Sequence, residues 1–108
     1  MSDSVSTETR FVLVAVRGPK VVGVLRAEMR RRIFYRPAEE GFITDFYILP
    51  EYRRKALGNR ILNSAVSELK SRGAKLIVAD FPSQNEIARR FYTKRGFRPL
   101  TELYGKLP

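Results

Sequence analysis

The chain lacks two residue types with distinctive chemistry: none of its 108 residues is a cysteine or a histidine. Disulfide scaffolds, cysteine nucleophiles and serine–histidine–aspartate triads are therefore excluded, and no metal site is expected. A proton transfer near neutral pH must use a carboxylate, a tyrosine, a lysine or ordered water.

Long apolar runs are also missing, since no stretch approaches the roughly 18–20 residues that span a bilayer. The N-terminal segment MSDSVSTETR is polar and resembles neither a signal peptide nor a transit peptide. We therefore expect a cytoplasmic protein without membrane contact. Positive charge is abundant, with 21 lysines and arginines against 11 acidic residues. This balance favours polyanionic partners such as nucleic acids or phosphorylated cofactors, but a solvated basic surface is an alternative explanation.

Chain length and the absence of a linker indicate one domain over residues 10–108, preceded by a disordered lead over residues 1–9. Apolar patterning predicts the order β-β-β-α-β-α-β, with an eighth element if the last strand turns back on itself. The predicted strands cover residues 11–16, 21–35, 42–49, 75–80 and 97–107. Helix-face spacing of apolar residues from Leu57 to Leu69 predicts a first helix that ends before Gly73. A capping box from Ser83 to Glu86 opens a second helix that ends at Gly96.

This order predicts an α/β (α+β) fold with a mixed sheet, in which the strands at 42–49 and 75–80 are parallel and flank the first helix. Ligands bind at the carboxyl ends of such strands, which here means residues 50–58. Successive cations and Gly58 surround a helix N-terminus there, so the segment predicts a phosphate site. A solvated basic turn is the alternative. Walker A and GxGxxG patterns are absent, which disfavours an ordinary nucleotide site.

Residues 43–58 (ITDFYILPEYRRKALG) resemble the acetyl-CoA signature of the GNAT superfamily of N-acetyltransferases, a strand ending in Val-x-Pro-like residues and then Arg/Gln-x-x-Gly-x-Gly/Ala. Residues 85–97 resemble the second motif of that family, with Asn85, Ala88, Tyr92 and Gly96-Phe97 in its order. The resemblance covers roughly residues 11–104. It implies a mostly antiparallel sheet whose central parallel pair splays apart, and an enzyme that transfers acetyl from acetyl-CoA to a primary amine by direct attack.

The resemblance also implies residue roles. Backbone groups of Ile48 and Leu49 would hydrogen-bond the pantetheine arm and polarise the thioester carbonyl. Asn85 would contact the cofactor arm from across the split, and Tyr92 would protonate the departing thiolate. The residues that would cradle the pyrophosphate are Arg53, Arg54, Lys55, Ala56, Leu57, Gly58 and Asn59.

Because the chain has no histidine, the candidates for the general base are carboxylates near the strand end. In the family an acidic residue on this strand often has that role, and Asp45 is the candidate; it faces the side opposite to Thr44 and Phe46 by strand alternation. Glu51 at the loop mouth is another carboxylate there. In the alternative, Asp45 is a structural hydrogen-bond partner and bulk water takes the proton.

Two departures from the family pattern matter. Ala56 stands at the first glycine of the loop, which lowers cofactor affinity if its φ is positive. In addition, the family has a strand and two helices ahead of the hairpin, whereas about ten residues precede Phe11 here. The acceptor side is therefore expected to be open, supplied by another chain in a homodimer, or lost.

Two other functions stay open. Residues 29–36 interleave cations with Phe34 and Tyr35, as in modules that grip nucleic acid, although such a run is more often a charged strand edge. Alternatively, a degenerate relative could bind CoA without transferring an acetyl group.

Overall fold

The computed structural model describes residues 2–6, 9–32, 34, 36–53 and 56–108. The elements are β1 (Ser2–Ser6), β2 (Arg10–Arg17), β3 (Lys20–Arg31), β4 (Glu39–Ile48), a 3-10 turn (Pro50–Tyr52), α1 (Leu57–Ser71), β5 (Leu76–Ala79) and α2 (Glu86–Lys94). None of the helices in these ranges is long and apolar enough to cross a membrane.

The strands of the described chain lie in one sheet in the order β1-β2-β3-β4-β5. Neighbours from β1 to β4 are antiparallel, and β4 and β5 are parallel. The connection from β4 to β5 runs through α1, as a parallel pair requires. A mixed, mostly antiparallel sheet with two helices is therefore confirmed.

The core lies between the sheet and one face of α1. The helix buries four apolar side chains on that face, Ile61, Leu62, Ala65 and Leu69. Gly41 of β4 lets the helix approach closely, because a Cβ there would lie 2.9 Å from a methyl carbon of Leu69. The buried residues that complete the cluster are Phe11, Leu13, Ala15, Val22, Leu25, Ala27, Ile43 and Tyr92. Burial of such side chains stabilises the fold by roughly 1.5–3 kcal/mol for each large one.

The predictions for the two ends of the chain are wrong. Residues 2–6 form β1, paired antiparallel with β2, where a disordered lead is expected. Residues 97–108 carry no regular secondary structure, where one or two strands are expected. Leu103 and Leu107 of this segment are almost fully exposed, so they are not part of the core.

Two boundaries also differ from the predicted ones. Strand β4 begins at Glu39 instead of residue 42, so Pro37 does not delay it as far as expected. The N-cap of α2 is Asn85 and not Ser83, because the Asn85 side chain accepts the amide of Ala88 at 3.0 Å. The predicted N-cap is therefore two residues early, although the helix itself is confirmed.

Candidate functional site

The parallel ladder between β4 and β5 is short. It runs from the pair Glu40–Leu76 to the pair Ile43–Ala79, whereas β4 continues to Ile48. Beside residues 44–48, β4 therefore has no ladder partner on this side in the described chain. We call this space the β4–β5 gap, and it lies where the splayed pair is expected.

A β-bulge marks the point where the gap begins. Arg26 of β3 pairs with Asp45 and Ala27 pairs with Ile43, so Thr44 is an extra residue on β4. The Thr44 hydroxyl donates to the carbonyl of Arg26 at 3.2 Å. An extra residue reverses the alternation of faces, and Phe46 thus shares the helix side of the sheet with Ile43. Its ring contacts Phe91 of α2 with centroids 5.7 Å apart.

The backbone of Ile48 faces the β4–β5 gap. The amide of Leu49 donates to the carbonyl of Val22 at 2.9 Å, which fixes that residue's polar groups toward β3. Since successive residues of a strand direct their amides to opposite sides, the N–H and C=O of Ile48 point to the open side. The prediction for Ile48 agrees with this direction. The Leu49 N–H is used in this bond, and the Leu49 carbonyl accepts the Tyr52 amide at 2.9 Å. A contact of Leu49 with the pantetheine arm stays a prediction.

The loop after β4 leads into an uncapped helix. Ala56 is the N-cap of α1 and provides no side-chain hydrogen bond. The first helical bond described runs from the Arg60 amide to the Ala56 carbonyl at 3.1 Å, and the amides of the first turn have no partner within the helix. Such amides and the helix dipole favour an anion. Arg54 and Lys55, which are predicted to bind the pyrophosphate, lie outside the described residues.

Ala56 has a left-handed backbone, with φ 62° and ψ 4°. The sequence leaves open whether this position has positive φ, and the structure places it there. A left-handed conformation costs an L-residue roughly 1–2 kcal/mol, a penalty that glycine does not have. The alanine therefore strains the loop that begins the helix.

Arg53 lies at the mouth of the gap. Its Nε donates to the Ile48 carbonyl at 2.9 Å, and its guanidinium carbon is 5.4 Å from the ring centre of Tyr47. The side chain thus holds a positive charge at the end of β4.

Gly58 and Asn59 have packing roles in the first turn of α1. A Cβ on Gly58 would lie 3.2 Å from Ile48 Cδ1 and 3.3 Å from a ring carbon of Phe91. The absence of a side chain on Gly58 therefore lets α1 pack closely against Ile48 and Phe91, and it would also let a phosphate approach the backbone. The Asn59 side-chain oxygen accepts Arg95 Nε at 2.9 Å, so a cofactor reaches Asn59 through its backbone or its remaining amide donors.

Asn85 stands beyond the end of β5 and caps α2 through its side-chain oxygen. The amide nitrogen of the same side chain stays available to donate. Its predicted contact with the cofactor arm is compatible with the capping bond, because the two roles use different atoms.

Tyr92 is a buried residue of α2, with 8% of its surface exposed. Its ring stacks on Phe81 with centroids 5.7 Å apart, and Phe91 and Phe97 meet it edge to face. Burial, with a smaller contribution from the Asp80 carboxylate, raises the pKa of Tyr92 from 10.0 to about 12. Within the described chain its hydroxyl forms no hydrogen bond, yet it is not fully enclosed. The phenol is therefore protonated at neutral pH and open to a ligand.

Asp45 points to the face of the sheet away from the helices, where Arg26 Nη2 lies 2.7 Å from its carboxylate. The second carboxylate considered, Glu51, lies 3.9 Å from Lys20 Nζ and is exposed. Both candidate bases are thus ion-paired at the surface.

The basic run expected to suit nucleic acid is largely neutralised. Arg30 pairs with Glu28, Arg31 with Glu39 and Arg32 with Glu40. Arg30 also covers the Phe42 ring at 3.7 Å. Ile33 and Tyr35 lie outside the described residues. The acidic partners lie on β3 itself and on β4. Because β3 lies between β2 and β4 in the sheet, this stretch is not the charged edge strand that the alternative interpretation describes.

Sequence reasoning missed Phe46, Phe91 and Arg95 as parts of the site. The aromatic pair lines the helix side of the gap, and Arg95 joins the two helices beside it. The alternation of β4 could have indicated Phe46 only if the bulge had been known. No sequence signal distinguishes Arg95 from the other cations of α2.

Three comparisons with known proteins agree with this geometry. The model of a family described as the acetyltransferase (GNAT) family matches residues 2–97. N-alpha-acetyltransferase 30 of Schizosaccharomyces pombe is 28% identical over 96 residues, which is 87% of this chain. The chain spans 61% of the length of that relative.

Solved structures share the fold. Aminoglycoside N-acetyltransferase AAC(6')-Iy in complex with CoA superposes with a TM-score of 0.84 at 13% identity, covering 94% of this chain and 78% of that one. A transcriptional regulator from Bacillus halodurans C-125 gives 0.83 at 24% identity, covering 94% and 68%. At these identities the likeness concerns the fold, since an acetyltransferase and a transcriptional regulator both share it.

Proposed function

Because the chain belongs to the acetyltransferase (GNAT) family, we propose that it is an enzyme that transfers the acetyl group of acetyl-CoA to a primary amine. The observation that carries this proposal is the β4–β5 gap. Ile48 presents backbone groups to it, and an uncapped helix begins directly behind it. Together these features suit a ligand with an amide-bearing arm and a diphosphate.

The residues present fit acetyl-CoA. The N–H of Ile48 would polarise the thioester carbonyl. The carbonyl of Ile48 would release the Arg53 side chain and accept a hydrogen bond from an amide of the pantetheine arm instead. The first-turn amides of α1 and the Arg53 guanidinium would hold the diphosphate. The Asn85 side-chain nitrogen would donate to the arm from the β5 side. Phe46 and Phe91 would exclude water along the helix side.

The reaction forms a C–N bond between the amine and the acetyl carbon and breaks the C–S bond of the thioester. The thiolate accepts the proton of the Tyr92 hydroxyl. Although the Tyr92 pKa is about 12, the burial that raises it also raises the pKa of a thiol held beside it. Asp45 is the proposed base that takes the proton of the attacking amine, either directly or through water.

The acceptor is proposed only as a class. The names of the relatives refer to N-alpha-acetylation and to N-acetylation of aminoglycosides, and in both an amine nitrogen is acetylated. A homodimer and a cytoplasmic location stay predictions. Light scattering of the purified chain tests the homodimer.

Calorimetry with acetyl-CoA tests the cofactor part of the proposal. We expect saturable binding and a rise of the melting temperature, since a ligand that binds only the native state stabilises it. A chain that shows neither binding nor stabilisation at millimolar acetyl-CoA would contradict the proposal. Release of free thiol with a panel of peptide and small-molecule amines then tests transfer.

A second candidate is a CoA-binding protein that transfers nothing. The strained Ala56 and the ion pair that occupies Asp45 favour it. Binding of acetyl-CoA without thiol release on any amine would support this candidate, and turnover on one acceptor would exclude it.

A further inference from the structure

Arg95 connects the end of α2 to the beginning of α1. Its Nε donates to the side-chain oxygen of Asn59 at 2.9 Å, and its Nη1 donates to the carbonyl of Phe91 at 2.9 Å. Its guanidinium carbon lies 3.9 Å from the ring centre of Phe91. These contacts fix the position of the guanidinium although the residue itself is exposed.

All the acceptors that hold Arg95 are neutral. By contrast, Arg26, Arg30, Arg31 and Arg89 each lie within salt-bridge distance of a carboxylate. No carboxylate of the described chain is that close to Arg95, and its remaining N–H groups have no acceptor there. A guanidinium carries more N–H donors than these two bonds use. The guanidinium of Arg95 is thus fixed in position, its positive charge is not compensated by a carboxylate of the described chain, and it can donate further hydrogen bonds.

This charge lies beside the first turn of α1. Asn59 is the third residue of a helix whose N-cap, Ala56, provides no side-chain acceptor. The positive end of the helix dipole and the guanidinium are therefore neighbours, and an anion between them would be stabilised by both. Arg53 holds another positive charge at the end of β4, where its Nε donates to the Ile48 carbonyl.

We propose that Arg95 binds a phosphate group of coenzyme A at the first turn of α1. The inference rests on the proposed function, and it adds a residue from α2 to a site formed otherwise by the loop after β4. The phosphate is either part of the diphosphate or the 3′-phosphate, and both present the same oxyanion to a guanidinium.

The test compares the native chain with Arg95→Gln. The affinity for coenzyme A is measured by calorimetry at low and at high potassium chloride. We expect Arg95→Gln to weaken binding about tenfold or more at low salt, as loss of a charge-assisted hydrogen bond does. The difference should shrink at high salt, because ions screen an exposed contact. Arg95→Lys, which keeps the charge, should recover part of the affinity.

Arg98→Gln is the matched control. Arg98 also lies after α2 and donates to backbone carbonyls, those of Thr93 and Phe97, so the variant removes the same charge without touching α1. Its affinity for coenzyme A should equal that of the native chain. Circular dichroism of each variant without ligand verifies that the fold is retained.

Dephospho-coenzyme A identifies the phosphate. If the difference between native chain and Arg95→Gln disappears with this ligand, Arg95 binds the 3′-phosphate, and if it persists, Arg95 binds the diphosphate. A difference that is absent, or that is equal at every salt concentration, would overturn the inference and leave Arg95 as a packing residue of Asn59 and Phe91. If the native chain itself binds no coenzyme A, the proposed function fails first.

Discussion

Arg26 binds Asp45 with two of its nitrogen atoms. Nε donates to the carboxylate at 2.9 Å and Nη2 lies 2.7 Å from the same oxygen. The pair is on the sheet face opposite to Phe46, because the bulge at Thr44 places successive residues on alternate sides from there onward. If Asp45 is the base, the amine must reach the β4–β5 gap from this face.

Substitution of Asp45 tests this assignment. We expect Asp45→Asn to lower kcat by about 100-fold at saturating acetyl-CoA, the usual contribution of a general base. Glu51→Gln is the control, since Glu51 is the other carboxylate near the end of the strand, and it should leave kcat nearly unchanged. Steady-state kinetics measures both. Because exposed ion pairs contribute only about 0–1 kcal/mol, neither variant should unfold. The assignment fails if Asp45→Asn retains native turnover.

The strained Ala56 predicts a stabilising substitution. Ala56→Gly should raise the free energy of unfolding by about 0.5–1 kcal/mol, since glycine adopts positive φ without the steric penalty but loses more chain entropy. It should also tighten acetyl-CoA binding, because glycine adopts without steric penalty the left-handed backbone that precedes the first-turn amides of α1. Urea unfolding and calorimetry measure the two effects.

Ala88→Gly gives the contrasting result. Ala88 lies within α2, where glycine is about 0.5–1 kcal/mol less favourable than alanine. Opposite signs for the two substitutions are expected, and a destabilised Ala56→Gly would show that the left-handed backbone carries no penalty here.

The acid role of Tyr92 predicts a loss of turnover without a loss of binding. Tyr92→Phe keeps the ring that stacks on Phe81 and removes only the hydroxyl. We expect kcat to fall by about 100-fold while the dissociation constant of acetyl-CoA changes little. Tyr104→Phe, at an exposed position far from the core, is the control. Equal losses in kcat and affinity would instead assign Tyr92 to binding.

The raised pKa of Tyr92 also predicts an alkaline loss of stability. The native state keeps this proton up to about pH 12, whereas the unfolded chain releases it near pH 10. The contribution is therefore complete below pH 10 and is lost as the pH rises toward 12, by about 2–3 kcal/mol in all. Tyr92→Phe has no proton to release and should lose less stability over this interval. Parallel urea midpoints of the two proteins between pH 9 and 11.5 would argue against this linkage.

Elements with a strong apolar period are predicted correctly from the sequence. Elements whose formation depends on hydrogen bonding to a neighbouring strand are not. The stripe from Ile61 to Leu69 and the run at 76–79 identify α1 and β5 because their side chains are selected for burial. The segment SDSVS forms β1 through hydrogen bonds to β2, which composition does not reveal. Residues 97–107 have strand-like composition but find no ladder partner within the described chain.

The candidate site shows the same division. The motifs around Pro50 and Asn85 predict which segments meet, since Gly58 of α1 approaches Ile48 of β4 and Phe91 of α2. The cofactor role of Gly58 and the acid role of Tyr92 stay predictions. The direction of the Leu49 amide depends on its partner in β3, and the contact of Arg95 with Asn59 depends on the relative position of two helices. Both contacts join residues that are distant in the sequence, so no local sequence pattern predicts them.

Thr44 allows β4 to tolerate the loss of one residue at this point. Its deletion would remove the bulge and leave the pairs Ala27–Ile43 and Arg26–Asp45 directly consecutive in the ladder. Asp45 would stay on the outer face of the sheet, and Phe46 would stay on the side of Ile43 and the helices. A shortened strand of this kind would therefore keep the lining of the ligand space, and only the local twist of β4 would change.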